Sequence, residues 1–160
     1  MNTLELKINK NKKTVIGAGI LFIIIVCVML MGKHNNTNNI LNFEAKFLAC
    51  LEYDTDIMYD SINGVISKSD KVNKYKNLLT KYEEIQKECP SELKNEYNNY
   101  LESKSKLIRN YATYTVKDRE LNENDTSKLI EKMNDLNAKY KIDIDKRNAK
   151  AKEYYKAMQR

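Results

Sequence analysis

Glycine and proline are nearly missing, four and one in 160 residues, and there is no tryptophan, one histidine and three cysteines. So few turn-formers leave little punctuation for a sheet protein, whose hairpins need such residues at set places. The lone histidine, His34, stands without any HExxH, GxSxG or glycine-rich phosphate loop. That removes the common constellations of metal-assisted, acyl-transfer and nucleotide-dependent catalysis. Cys27, Cys50 and Cys89 lack the clustered spacing of a zinc site. Asp54, Asp56 and Asp60 lie close in sequence, yet steps of two and four along a helix do not by themselves build an acid–base pair. The expectation is a non-enzyme without cofactor or metal.

What is present is one long apolar run. Residues 14–32 read TVIGAGILFIIIVCVMLMG, and Val15 to Met31 carries no charge and no proline. At about 1.5 Å per helical residue those seventeen positions span about 26 Å, and their two neighbours bring the run close to a hydrocarbon core of about 30 Å. It is apolar all round, which suits a transmembrane helix rather than an amphipathic core helix. Lys7, Lys10, Lys12 and Lys13 precede it against the single acid Glu5. The positive-inside rule then keeps residues 1–13 in the cytoplasm and exports everything beyond Gly32.

A secretory signal peptide also begins with basic residues and an apolar run, but Leu30 to His34 offer no A-x-A-like cleavage pair. An uncleaved signal anchor is therefore expected. Val26, preceded by Ile24 and Ile25, is too bulky for a lipoprotein signal at Cys27, which reads instead as a small apolar side chain of the helix.

The net charge is +6, and half of it lies in the tail and anchor; the exported part holds 24 basic against 21 acidic residues. That near balance excludes nucleic acid as the expected partner. Heavy use of Asn, Lys, Ile and Tyr resembles AT-rich bacterial coding.

Beyond the membrane, residues 33–39 read as a polar linker, and residues 40–160 as an all-α antiparallel bundle of three or four helices. Phe43, Phe47, Cys50, Leu51, Ile57, Met58, Ile62 and Val65 recur at helical spacing, and Gly64 ends that first helix. A second helix is predicted over about 71–88, capped by Ser69 or Asp70, with Val72, Tyr75, Leu79, Tyr82 and Gln86 at heptad-like steps. Cys89-Pro90-Ser91 allows a kink or a turn, and a turn is favoured because it lets the stripes meet. The third helix is expected over about 91–120, including Tyr111, Tyr114, Asp118 and Leu121; a break at Asn122–Asp125 precedes a fourth helix running to Met158.

A first hairpin turning near Asp70 sets residues whose numbers total 139 opposite each other, so Cys50 and Cys89 are predicted to form a disulfide in an oxidising exterior. Lys104 interrupts an apolar stripe, as does Asp54 in the first helix. A second hairpin turning near Asn124 would set Lys104 against Asp143 or Asp145 as a buried ion pair. Most of the eleven tyrosines are expected in the core, with a binding groove as the alternative. The basic end, with Lys146, Arg147, Lys150, Lys152, Lys156 and Arg160, could meet anionic wall polymer or lipid headgroups, or be a solvated face.

These features favour a tethered, non-catalytic interaction or scaffolding module of the bacterial cell envelope, bound to the bilayer through residues 14–32 and to a protein partner outside. The alternative is an extracytoplasmic ligand-binding or sensing domain working through a partner membrane protein.

Overall fold

A computed structural model describes residues 36–110, 113 and 115–159. The apolar run 14–32, its flanks and His34 lie outside the described residues. Among those described, all regular structure is helical, and no helix is long and apolar enough to cross a membrane. The helices are α1 (36–62), α2 (Lys68–Gln86), α3 (Lys94–Arg109), α4 (Val116–Tyr140) and α5 (Ile144–Met158). Residues 36–39, expected as linker, are already helical. Thr37–Arg160 forms one compact unit.

Each helix starts or stops for a local reason. α1 ends in a Schellman motif: the Val65 N–H donates to the Asp60 carbonyl at 2.8 Å and the Gly64 N–H to Ser61 at 3.4 Å, with Gly64 at φ 69°. Glycine takes this left-handed position without the Cβ penalty. Ser67 caps α2 by accepting the Asp70 N–H at 3.1 Å, two or three positions before the expected cap. Thr115 opens α4 with a full capping box, its hydroxyl accepting the Asp118 N–H while the Asp118 carboxylate accepts the Thr115 N–H. Lys141 ends α4 in the left-handed region at φ 53°, which frees Ile142 to bury itself against Ile40 and Leu41. Asp143 then caps α5.

Two expected boundaries are therefore corrected. The break predicted at Asn122–Asp125 is interior to α4: Asn122 and Asp125 are buried on its inner face, and Asn122 donates to the Ser103 hydroxyl at 3.1 Å. The real reversal lies between Asn110 and Thr115, and Lys141–Asp143 divides the expected fourth helix in two. Tyr111 and Tyr114 fall outside the described residues.

α1 is the axis. From Ile40 to Cys50 it is buried on every side, through Ile40, Leu41, Phe43, Glu44, Ala45, Phe47, Ala49 and Cys50. Phe47 is the hub: Tyr97 and Tyr100 from α3 meet it edge-on at 5.9 and 5.1 Å, and Tyr82 from α2 lies at 6.3 Å. Edge-to-face packing of this kind adds to the area the rings bury. The Tyr97 hydroxyl donates to the Tyr82 carbonyl at 2.8 Å, locking α3 to α2. Leu129, Met133 and Leu136 of α4 close the same core. Tyr82, Tyr97 and Tyr100 are thus core residues, and burial pushes all three hydroxyls well above the usual tyrosine range.

The predicted disulfide is not formed: Cys50 and Cys89 are free thiols. The register explains it. Lys46 pairs with Glu88 at 2.5 Å and Asp60 with Lys74 at 3.4 Å, and both pairs have numbers totalling 134 rather than 139. Starting α2 at Ser67 therefore slides Cys89 about five residues past Cys50, about 7 Å along the helix axis. Burial pushes both thiols up to about 12, so neither is a reactive thiolate at neutral pH.

The predicted pairing of Lys104 with Asp143 or Asp145 is corrected in the same way. With the α3–α4 reversal near residue 113, Lys104 lies level with α4 positions near Asp118 and Asn122, since Lys106 pairs with Asp118 at 2.5 Å. Asp143 is more than twenty residues further on, past the far end of α4, about 30 Å away by helix rise. Lys104 instead donates to Asp54. The two charges that interrupt apolar stripes are each other's partner.

Candidate interaction surface

Successive helices alternate in direction, so the ends of α1 and α3 and the starts of α2 and α4 meet at one end of the bundle. This end is about 40 Å along α1 from residue 36, where the chain enters. Here the packing runs out: beyond Cys50 only Ile57 of α1 is buried among the hydrophobic residues. Tyr59, Ile62 and Val65 are 66%, 77% and 67% exposed, and Met58 is half exposed. Val116 and Leu121, on the first turns of α4, are also exposed. Ile62, Val65 and Met58 were expected in the core stripe; α1 instead overhangs its neighbours. Scattered single hydrophobics on a surface need no explanation, but several concentrated at one end of a bundle mark an interaction site.

Inside the overhang is a cleft of about 360 Å³, lined by Asp54, Met58, Tyr75, Lys104, Arg119 and Asn122 among others. Its floor is the Lys104–Asp54 pair, whose side chains are 12% and 18% exposed. Arg119 lies 3.6 Å from Glu123 at its rim. Apolar side chains such as Met58, Leu107 and Ile108 share the lining with these charges, which are paired with one another.

The basic end separates into two groups. Arg147 donates to Glu44 at 3.1 Å and Lys150 to the Asn42 side-chain oxygen at 2.6 Å, so both are turned inward and tie α5 to α1. They are not available as anionic-surface contacts. Lys146, Lys152 and Lys156 are exposed, Asp145 is exposed in the first turn of α5, and Arg160 lies outside the described residues. α5 buries only Ala151 fully; Met158 packs half-buried on the main core, and polar links add to this, including the Tyr155 hydroxyl donated to Asp56.

Glu44 was missed in the sequence. It is fully buried, with one oxygen on Arg147 and the other without a well-formed hydrogen bond, beside Asn137 whose amide is likewise unsatisfied. Burial raises its carboxyl above the ordinary value despite the opposing pull of Arg147. The signal was its position in FEAKF, an acid flanked by residues of the most apolar stretch of α1.

Among the described residues no group of His, Cys, Asp and Glu could hold a metal ion. No protein-family model, curated protein or solved structure matches the chain.

Proposed function

We propose that this chain is a membrane-anchored, non-catalytic interaction or scaffolding module of the bacterial cell envelope. Residues 14–32 anchor it, residues 1–13 stay in the cytoplasm, and the helical bundle stands outside. The observation that carries the docking part is the apolar overhang of α1 at the end remote from residue 36. A tether at one end and an apolar tip at the other is the arrangement a spacer needs to reach a protein partner. The sensing alternative gains less support, because the cleft's floor is already filled by a mutually paired lysine and aspartate.

Placement is tested by single cysteines in whole cells. A cysteine at Asn99, exposed on α3, should react with a membrane-impermeant maleimide in intact cells, while one at Asn2 should react only after permeabilisation. The reverse pattern overturns the topology. Docking is tested by Ile62→Asp with Val65→Asp, which should leave the chain folded and reproduce the phenotype of deleting the gene. Wild-type behaviour of that variant overturns the tip as the docking site.

A further inference from the structure

The overhang carries a more specific pattern. Leu48, Glu52, Thr55, Tyr59 and Ile62 succeed one another along α1 at alternating steps of four and three, the spacing of a helix-packing seam, and Ile66 follows just past the helix end. Leu48 and Ile66 are half-buried, while Glu52, Thr55, Tyr59 and Ile62 are exposed. This is a second seam, separate from the one that carries Phe43, Phe47 and Cys50 into the core. α5 runs beside α1 in the same direction and stops level with Asp56, where Tyr155 donates to that carboxylate. Beyond this point α5 no longer follows α1, and α2 reaches α1 at Asp60 through Lys74.

One flank of the seam carries the carboxylates Glu52, Asp56 and Asp60, while Thr55 on the other side borders the cleft that holds Lys104 and Arg119. Among the described residues Glu52 makes no ion pair, Asp56 accepts the neutral Tyr155 hydroxyl, and Asp60 has Lys74 at 3.4 Å. All three carboxylates bear on the Tyr155 hydroxyl and help push it up to about 12, so they converge on one place. The C-terminal end of α5 adds the negative end of its helix dipole there. A seam at helical spacing whose outer part, Tyr59 and Ile62, is apolar and exposed, with carboxylates along one flank, is complementary to a helix with apolar residues on one stripe and cations on its flank.

We propose, resting on the docking role above, that the seam Glu52–Thr55–Tyr59–Ile62 receives an amphipathic helix of a partner protein, with lysine or arginine set against Glu52, Asp56 and Asp60. The partner helix takes up the line along α1 where α5 leaves it.

The test places the photocrosslinker p-benzoylphenylalanine singly at Tyr59, Val65, Val116 or Leu121, and at Asn99 as an off-site control, in the full chain expressed in intact cells, and sequences the captured peptide. Crosslinking is expected from position 59 and not from 99, to an amphipathic helical segment of net positive charge. Glu52→Lys should lower it at least about tenfold, because it sets like charges together, and lysine-to-glutamate exchange in the captured segment should restore it. An acidic or uncharged captured peptide, capture of a second copy of this chain, or indifference to Glu52→Lys overturns the proposal. Capture through Val65, Val116 or Leu121 without Tyr59 overturns the seam and leaves the docking role standing. Absence of capture from all four positions overturns both.

Discussion

The Asp54–Lys104 pair offers the sharpest check on the register of the bundle. It joins α1 to α3 beneath the apolar tip, with side chains only 18% and 12% exposed. Breaking a fully buried pair by removing one partner costs about 3–5 kcal/mol, because a charge is left without compensation. The cleft beside this pair admits water, which lowers the figure and makes it unequal for the two partners. Lys104→Met strands a short carboxylate that is only 18% exposed and cannot turn further outward, at a cost of about 3 kcal/mol. Asp54→Leu strands a lysine whose long stem lets its ammonium turn into the cleft, at a cost of about 1–2 kcal/mol. The double variant replaces the pair with apolar side chains of similar size and should return to within about 1 kcal/mol of wild type. Urea denaturation of the full chain in mild detergent, followed by far-ultraviolet circular dichroism, measures all three. Lys104→Met should lower the midpoint by about 1–3 M. Asp143→Ala and Asp145→Ala should show no coupling to Lys104. A double variant no better than the worse single, or coupling of Lys104 to Asp143, would refute the register.

Other outcomes follow from single features. Cys50 and Cys89 should both remain as thiols in the mature chain, alkylating slowly at neutral pH and rapidly in denaturant; a mass two protons lighter that is restored by reductant would contradict the free state. Because burial raises the Glu44 carboxyl, the folded chain binds its proton more tightly than the unfolded one. The stability this supplies is fully present below the ordinary value of 4.5 and is lost as pH rises through the raised value. The stability of wild type relative to Glu44→Gln should therefore fall as pH rises above 4.5, and a rise would contradict the burial of Glu44. Lys141→Gly removes a side chain from a left-handed position and should stabilise by up to about 1 kcal/mol in thermal melts, whereas destabilisation would mean that the α4 terminus is not left-handed.

The helical class, the stop at Gly64 and the reversal around Pro90 were legible because each rests on local chemistry: apolar steps of three and four, a glycine at a helix end, a proline that cannot continue a helix. The break between α3 and α4 was not. Asn122, Asn124 and Asp125 look like a loop by composition, yet Asn122 and Asp125 are buried and Asn122 donates to Ser103, so tertiary hydrogen bonding keeps this run helical. The Thr115–Asp118 capping box was present in the sequence and outweighs it. Misplacing the first turn by about three residues and the second by about eleven carried over into the cross-helix pairings. It set Cys50 opposite Cys89 and Lys104 opposite Asp143, although Asp54 and Lys104 were each visible as an intruding charge. The tip was unreadable for another reason: periodicity shows that Ile62 belongs to a helix face, but whether another helix covers that face depends on where α5 stops. Arg147 and Lys150 look like part of a cationic patch until their partners Glu44 and Asn42, more than a hundred residues away, are placed beside them.

The most direct test of the docking claim is a photocrosslinking scan over every exposed position of the bundle in intact cells. Capture of partner protein should concentrate at Tyr59, Ile62, Val65 and their neighbours at the tip and be missing from the outer faces of α2 and α3. Capture spread evenly over the surface, or confined to the α5 lysines, would contradict a tip-docking module.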